Sequence, residues 1–170
     1  MDPLTVSTVV SAPCEVIFDY LQDIANHPEF TDHYLVDWRL TRIDSVGRGA
    51  GARFRVAVPA NRYSWADVTF AEVERPRRIV EQGRTGKNNR IRTLGVYSLD
   101  PLASGSTRVT FTLQTAPATA ADRLMEAFGA RSWLRRQNRK ALRRLREIME
   151  GSGEGSRAAA RGRRVTVAGG

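Results

Sequence analysis

The chain has 170 residues, of which 41% are hydrophobic, and this length suits one domain with a sizeable core. Its single cysteine, Cys14, excludes an internal disulfide framework, and no apolar run approaches the length of a membrane span. The N-terminus lacks a basic segment followed by a long apolar one, so we expect no signal peptide and a cytoplasmic protein.

The first elements of the chain are predicted to be a strand and two short helices. Residues 4–11 are rich in β-branched side chains with alternating polarity, which is typical of a strand. Pro13 then suits the first position of a helix, and Glu15 suits the positive end of its dipole. A second short helix is predicted over residues 28–32, with Pro28 at its start.

From Val36 onward the hydrophobic period is two, which indicates strands. The predicted strands cover residues 36–41, 53–58, 64–73, 78–84, 91–99 and 109–113, with turn sequences between them. Short strands at this spacing favour an antiparallel meander over βαβ units.

After Pro117 the period becomes 3.6, which predicts a long C-terminal helix. Its apolar stripe consists of Leu124, Phe128, Leu134, Ala141, Leu142, Leu145 and Met149. Residues 151–170 are rich in Gly, Ser, Ala and Arg, so we expect a disordered basic tail after a folded domain of residues 1–150. The predicted fold class is α+β, with a curved antiparallel sheet around the C-terminal helix.

A strongly bent sheet cannot lie flush on a straight helix, so the space between them is expected to form an apolar ligand cavity. The large apolar residues placed to line it are Trp38, Phe54, Val56, Trp65, Tyr97, Phe111 and Phe128. Asn138 interrupts the helix stripe and needs a polar partner from the backbone, water or a ligand.

Several segments in order resemble those of START-like (SRPBCC) proteins. They are Ala12-Pro13-Cys14-Glu15-Val16, Asn26-His27-Pro28-Glu29-Phe30, Gly49-Ala50-Gly51-Ala52-Arg53-Phe54 and Gly105-Ser106-Thr107-Arg108-Val109. Within that superfamily the polyketide cyclase/dehydrase and lipid-transport group is most similar. The resemblance implies a helix-grip fold and a cavity for a lipid- or polyketide-like molecule.

The resemblance also suggests two catalytic candidates. Aromatase/cyclases of this group use a tyrosine after the second helix, and the segment ending at Tyr34 matches it. Tyr34 is therefore either a proton donor or ligand contact, or an amphipathic tyrosine at a rim with its phenol in water. On the fourth strand, where the group has polar residues that include an arginine, this chain has Asp67. Asp67 is a candidate base if it faces inward, although the more apolar Val68 and Phe70 define the opposite face and favour a solvated Asp67.

The remaining patterns predict no metal site and no cofactor. His27 and His33 are six positions apart, with no acid-rich or thiol cluster nearby. The segment from Arg131 to Arg146 contains seven arginines and one lysine without an acid. By default this is a solvated helix face, and an anionic lipid, RNA or acidic protein is a possible partner for it.

Three functions follow from these patterns. The leading hypothesis is a binding protein for a hydrophobic or aromatic small molecule. The alternatives are a polyketide aromatase/cyclase or dehydratase, and a protein whose basic helix and tail bind nucleic acid or an anionic membrane. The sequence carries no signal of the oligomeric state.

Overall fold

The computed structural model describes residues 3–58, 65–117, 119 and 130–164, with side chains as far as Gly151. The strands are β1 (Leu4–Val10), β2 (Leu35–Leu40), β3 (Gly51–Val56), β4 (Trp65–Glu74), β5 (Arg78–Thr85), β6 (Ile91–Pro101) and β7 (Thr107–Ala116). The α-helices are α1 (Cys14–Leu21), α2 (His27–Thr31) and α3 (Arg131–Arg164), and short 3-10 helices cover Ile24–Asn26, Lys87–Asn89 and Ala103–Gly105.

All seven strands form one antiparallel sheet in the order β1-β7-β6-β5-β4-β3-β2. Strands β2 to β7 therefore follow one another as a meander, and β1 adds to the far edge by pairing with β7. This arrangement confirms the predicted α+β class and, with the long C-terminal helix, the helix-grip fold.

The two N-terminal helices form where the sequence predicts them. Pro13 lies in the extended position immediately before α1, and the helix buries Ile17, Phe18 and Leu21. Pro28 lies in the first turn of α2, where its missing N–H has no helical partner to lose.

Strand β2 contains an irregularity that the period-two pattern does not anticipate. Its register shifts between Val36 and Arg39, and Asp37 has a positive φ of 55°. Val36 pairs with Arg55 before the shift, and Arg39 pairs with Arg53 after it. The Asp37 carboxylate is paired with Arg55 Nε at 2.8 Å. An extra residue of this kind re-aims the side chains that follow it, because strand side chains alternate.

Helix α3 packs against β1 and α2. Its buried residues Ala141, Leu142, Leu145 and Met149 belong to the predicted stripe, and Leu134 packs on the core. Leu124 and Phe128 lie outside the described residues.

The helix continues to Arg164, past the end near Gly151 that the sequence predicts. The division into a domain of residues 1–150 and a tail stays a prediction. Within the part of the chain that the structure describes, no helix combines the length and apolar character needed to cross a membrane.

Candidate functional site

The two faces of the sheet differ sharply in character. Because strand side chains alternate, the pairing register divides residues between an inner face, which joins the helices in one core, and an outer face. The inner face of β3 to β7 includes Phe54, Val68, Phe70, Ile79, Tyr97, Leu99, Val109 and Phe111. The outer face includes Arg53, Asp67, Gln82, Arg84, Arg92 and Gln114.

Tyr34, just after α2, points into the core. Only 6% of it is exposed, and its hydroxyl donates a hydrogen bond of 3.0 Å to Oδ1 of Asn138 on α3. Burial raises the pKa of Tyr34 above its usual value, and the Glu81 carboxylate raises it further. The solvated rim position considered for Tyr34 is therefore wrong, and its phenol is held in the protonated form.

Asn138 has the polar partners that its place on the apolar stripe required. Its Nδ2 donates to the carbonyl of Leu134 at 2.9 Å, while its Oδ1 accepts from Tyr34. The tyrosine ring also lies 6.2 Å from that of Trp133, in an edge-on arrangement. Tyr34 and Asn138 thus join the α2–β2 connection to α3.

Most of the predicted cavity residues do lie on the inner side. Trp38 stacks on Phe54 at 4.5 Å between ring centroids, and Tyr97 lies 4.6 Å from Phe111. Val56 is half-buried against the same core. Phe128 lies outside the described residues.

Glu81 is a functional candidate that sequence reasoning missed. It lies on the inner face of β5, between Phe70 on β4 and Gly95 on β6. Burial raises the pKa of Glu81 to about 7, and its charge in turn raises the pKa values of Tyr34 and Tyr97, second to their own burial. Within the described part of the chain, no group forms a hydrogen bond or an ion pair with this carboxyl.

A glycine makes room for the Glu81 side chain. A Cβ on Gly95 would lie 3.0 Å from Glu81 Cγ, 3.1 Å from its Cδ and 3.2 Å from Cε2 of Phe111. The carboxyl-bearing chain therefore lies across Gly95 and beside an aromatic ring. The alternation of Ile79, Glu81 and Gly83 on one face of β5 was the signal that could have identified it.

Trp65 and Asp67 lie on the outer face, so the predicted inward placement of Trp65 is wrong and the condition for Asp67 to act as a base in the cavity is not met. Ala66 pairs with the inner Phe54, and the residues on either side of it must face outward. The Arg53 guanidinium lies 5.3 Å from the centre of the Trp65 ring. Arg53 Nε also approaches Asp67 at 3.5 Å. The structure consequently does not bring Asp67 together with Tyr34, and it agrees with the solvated alternative for Asp67.

A groove of about 900 Å³ crosses the outer face of β4 to β7. Asp67, Arg84, Arg92, Gln82 and Gln114 are among its lining residues. Its lining combines these charged and amide side chains with Leu94 and Ala116, whereas the inner face is rich in aromatic side chains.

The two histidines are held by separate contacts. His27 is buried against aromatic rings with Nε2 bonded to the Leu21 carbonyl at 2.9 Å, and burial lowers its pKa to about 4. His33 Nδ1 accepts from Arg144 at 3.2 Å, and its Nε2 donates to the Gln137 carbonyl at 3.2 Å. Both imidazoles therefore serve as neutral structural groups.

Comparison with known proteins identifies the family. The family described as polyketide cyclase/dehydrase and lipid transport matches residues 1–150. The chain belongs to this polyketide cyclase/dehydrase and lipid-transport family. No curated protein matches the sequence.

Solved structures share the fold of this family member at low identity. The KanY protein has a TM-score of 0.70 with 14% identity, and the alignment covers 88% of this chain and 97% of KanY. A protein from Thermus thermophilus has a TM-score of 0.66 with 13% identity, covering 89% and 99% of the two chains. A truncated norcoclaurine synthase from Thalictrum flavum has a TM-score of 0.65 with 12% identity, covering 86% and 92%.

At these identities the likeness shows a common fold. The match to the family over residues 1–150 confirms the resemblance seen in the sequence to START-like proteins and to their polyketide cyclase/dehydrase and lipid-transport group.

Proposed function

We propose that the protein binds a hydrophobic or aromatic small molecule, lipid- or polyketide-like, between the inner face of the sheet and α3. The description of its family supports a small hydrophobic ligand. Burial of apolar ligand surface would supply most of the affinity, and the few polar groups around it would orient the ligand.

The observation that carries the proposal is a gradient of burial along the inner face. Ile79, Leu99 and Val109, at one end, are at most 1% exposed. Towards the other end of β5 and β7 the inner residues Glu81 and Leu113 keep partial exposure. Because these residues share a face with the core, their exposed surface supports a ligand space beside it.

An enzymatic role, as an aromatase/cyclase or dehydratase, is a second use of the same space. It requires Tyr34 and another polar group near one point. Glu81, close enough to raise the pKa of Tyr34, supplies such a group, whereas Asp67 does not. The Tyr34 hydroxyl, however, already donates to Asn138, and this engagement favours binding over proton transfer by Tyr34.

Two matched substitutions distinguish the inner space from the outer groove. Leu113 pairs with Gly95 on the inner face, whereas Leu94 lines the outer groove. We expect L113W to weaken binding of cis-parinaric acid, measured by titration calorimetry, at least tenfold, and L94W to leave it unchanged. Saturable binding that only L94W abolishes would place the ligand outside the core, and binding of neither cis-parinaric acid nor an uncharged or cationic aromatic probe would remove the proposal. Mass spectrometry of molecules that copurify with the native protein would identify the ligand class directly.

A second candidate function is docking of α3 on an anionic lipid surface. Five exposed cations form no ion pair with any residue that the structure describes, namely Arg135, Arg136, Arg139, Lys140 and Arg143. At about 100° per residue they occupy an arc of roughly 140° on the helix. Trp133, the aromatic closest to them, is half-buried against Tyr34, so stacking with nucleic-acid bases is poorly supported.

Vesicle sedimentation tests this second function. We expect binding to vesicles with anionic phosphatidylglycerol but not to pure phosphatidylcholine, with the bound fraction falling as salt is added. R135Q/R139Q should reduce binding severalfold, whereas R84Q/R92Q, which removes equal charge from the outer face, should not. Equal binding to both vesicle types, or retention on RNA alone, would argue against a lipid surface.

A further inference from the structure

Glu81 presents an ionisable group to the ligand space without a counter-charge. The described residues that pack around it are apolar or aromatic, and none of them is a cation. Burying an ionised carboxyl without a partner is costly, so such groups normally pair with a cation or a hydrogen-bond donor. Glu81 is only partly buried, and its carboxyl oxygens are not completely excluded from solvent. A molecule in the ligand space could therefore reach them.

The chain makes room for this carboxyl. Gly95 lies directly opposite Glu81, and any larger residue there would press on Cγ and Cδ of the glutamate. Phe111 lies over the same glycine, and the tilted ring of Tyr97 lies beside that of Phe111. The result is a carboxyl flanked by aromatic rings, a combination that suits a cationic group attached to an apolar body, because the ring faces attract cations as well.

We propose that the ligand is an apolar or aromatic amine whose ammonium group pairs with the Glu81 carboxylate. This inference rests on the proposed function and narrows it to a ligand class. The ammonium would supply the missing charge partner, and the apolar body would lie along the inner face towards Leu113. A charge-assisted hydrogen bond in this setting is stronger than a neutral one, so the amine should be preferred over a neutral molecule of the same shape.

The preference should depend on pH in a defined direction. Glu81 has a pKa of about 7, so raising the pH from 5.5 to 8 ionises it while the amine stays protonated. Affinity for the amine should rise about tenfold over this interval and then level off. By linkage, bound amine must lower the pKa of Glu81, because each equilibrium shifts the other by the same factor.

A matched pair of probes tests the proposal. Naphthylethylamine and naphthylethanol share an aromatic body and differ in the amine and the hydroxyl. We expect calorimetry at pH 8 to show the amine binding at least tenfold more tightly than the alcohol. E81Q should abolish that difference and leave the affinity for the alcohol unchanged. E147Q, an exposed glutamate on α3, should leave both affinities unchanged.

A second measurement needs no variant. The carboxyl carbon of Glu81, followed by NMR in the wild-type protein, should titrate near pH 7 without a ligand and at a clearly lower pH with the amine. G95A, which displaces the Glu81 side chain, should reduce the preference for the amine.

The outcomes separate this inference from the proposed function. Equal binding of both probes, or amine binding unaffected by E81Q with an unchanged carboxyl titration, would overturn the amine assignment and leave ligand binding in place. Binding of neither amine, alcohol nor cis-parinaric acid would overturn both.

Discussion

The Tyr34 hydroxyl donates a hydrogen bond to Asn138 across 104 positions of the chain, and the atoms lie 3.0 Å apart. The bond ties the segment after α2 to the beginning of α3, two parts of the chain that are far apart in sequence. The bond is buried. Among the described residues it is the only hydrogen bond that either side chain forms with another side chain.

Removing the Tyr34 hydroxyl should destabilise the fold. In Y34F the Oδ1 of Asn138 remains buried without its donor, which costs about 1–3 kcal/mol of unfolding free energy. Urea denaturation measures the loss. Adding N138L should recover part of it, because two apolar groups leave no unsatisfied atom between them. A Y34F protein as stable as the wild type would show that water replaces the hydroxyl.

Replacing Glu81 should stabilise the protein increasingly as the pH rises. The pKa of Glu81 is about 7 in the folded protein and near 4.5 when unfolded. The contribution of Glu81 to the free energy of unfolding is therefore largest below pH 4.5. It is lost as the pH rises towards 7, because the carboxyl ionises in the unfolded chain before it ionises in the folded protein. The gap between E81Q and the wild type should widen by up to about 3 kcal/mol over this interval, at 1.36 kcal/mol per pKa unit. A gap that does not vary with pH would mean that Glu81 titrates normally.

His27 should give the opposite pH dependence. The pKa of His27 is about 4 in the folded protein against 6.5 for the free side chain. The contribution of His27 to the free energy of unfolding is therefore fully present above pH 6.5 and falls as the pH drops towards 4. In the wild type this slope partly cancels that of Glu81. The E81Q protein should therefore lose stability from pH 6.5 to 4 more steeply than the wild type. NMR of the imidazole should show His27 neutral at pH 5.5; protonation there would contradict its burial.

The contact between α2 and α3 should depend on one arginine. Arg144 pairs with the Asp32 carboxylate, donates to the Glu29 carbonyl at 3.0 Å and contacts His33. The Asp32 side chain is 60% exposed, so we expect a loss of only about 1 kcal/mol in R144M, reduced further by salt. R143M, at an exposed position without an ion pair among the described residues, should lie within about 0.5 kcal/mol of the wild type. Equal effects of the two substitutions would assign the contact no energetic role.

The elements of the fold could be predicted because each carries a local pattern. The alternation that begins at residue 36 and the stripe through Leu142 and Leu145 are imposed by the core, so burial and sequence agree there. The face assignment failed at Trp65, which lies on the face opposite Val68 and Phe70. A one-residue shift exchanges the faces, and no residue type marks it.

The candidate site was less accessible to sequence reasoning. Tyr34 was identified through the family resemblance, but its burial depends on Asn138, far away in the chain. Sequence reasoning missed Glu81 because a glutamate on a strand is usually solvated, and the room that Gly95 leaves for its side chain is visible only in the paired strands. Such pairings are properties of the register, which the sequence of a single strand does not specify.

The pairing of β1 with β7 affects how the protein folds during its synthesis. Leu4 lies opposite Leu113, so the first strand to be synthesised cannot pair until the last strand, β7, has been made. Contacts this distant in sequence slow folding, because a long loop must close before they form. On the ribosome the nascent chain therefore exposes an unpaired strand for most of its synthesis, and chaperone capture of this segment is to be expected until β7 emerges.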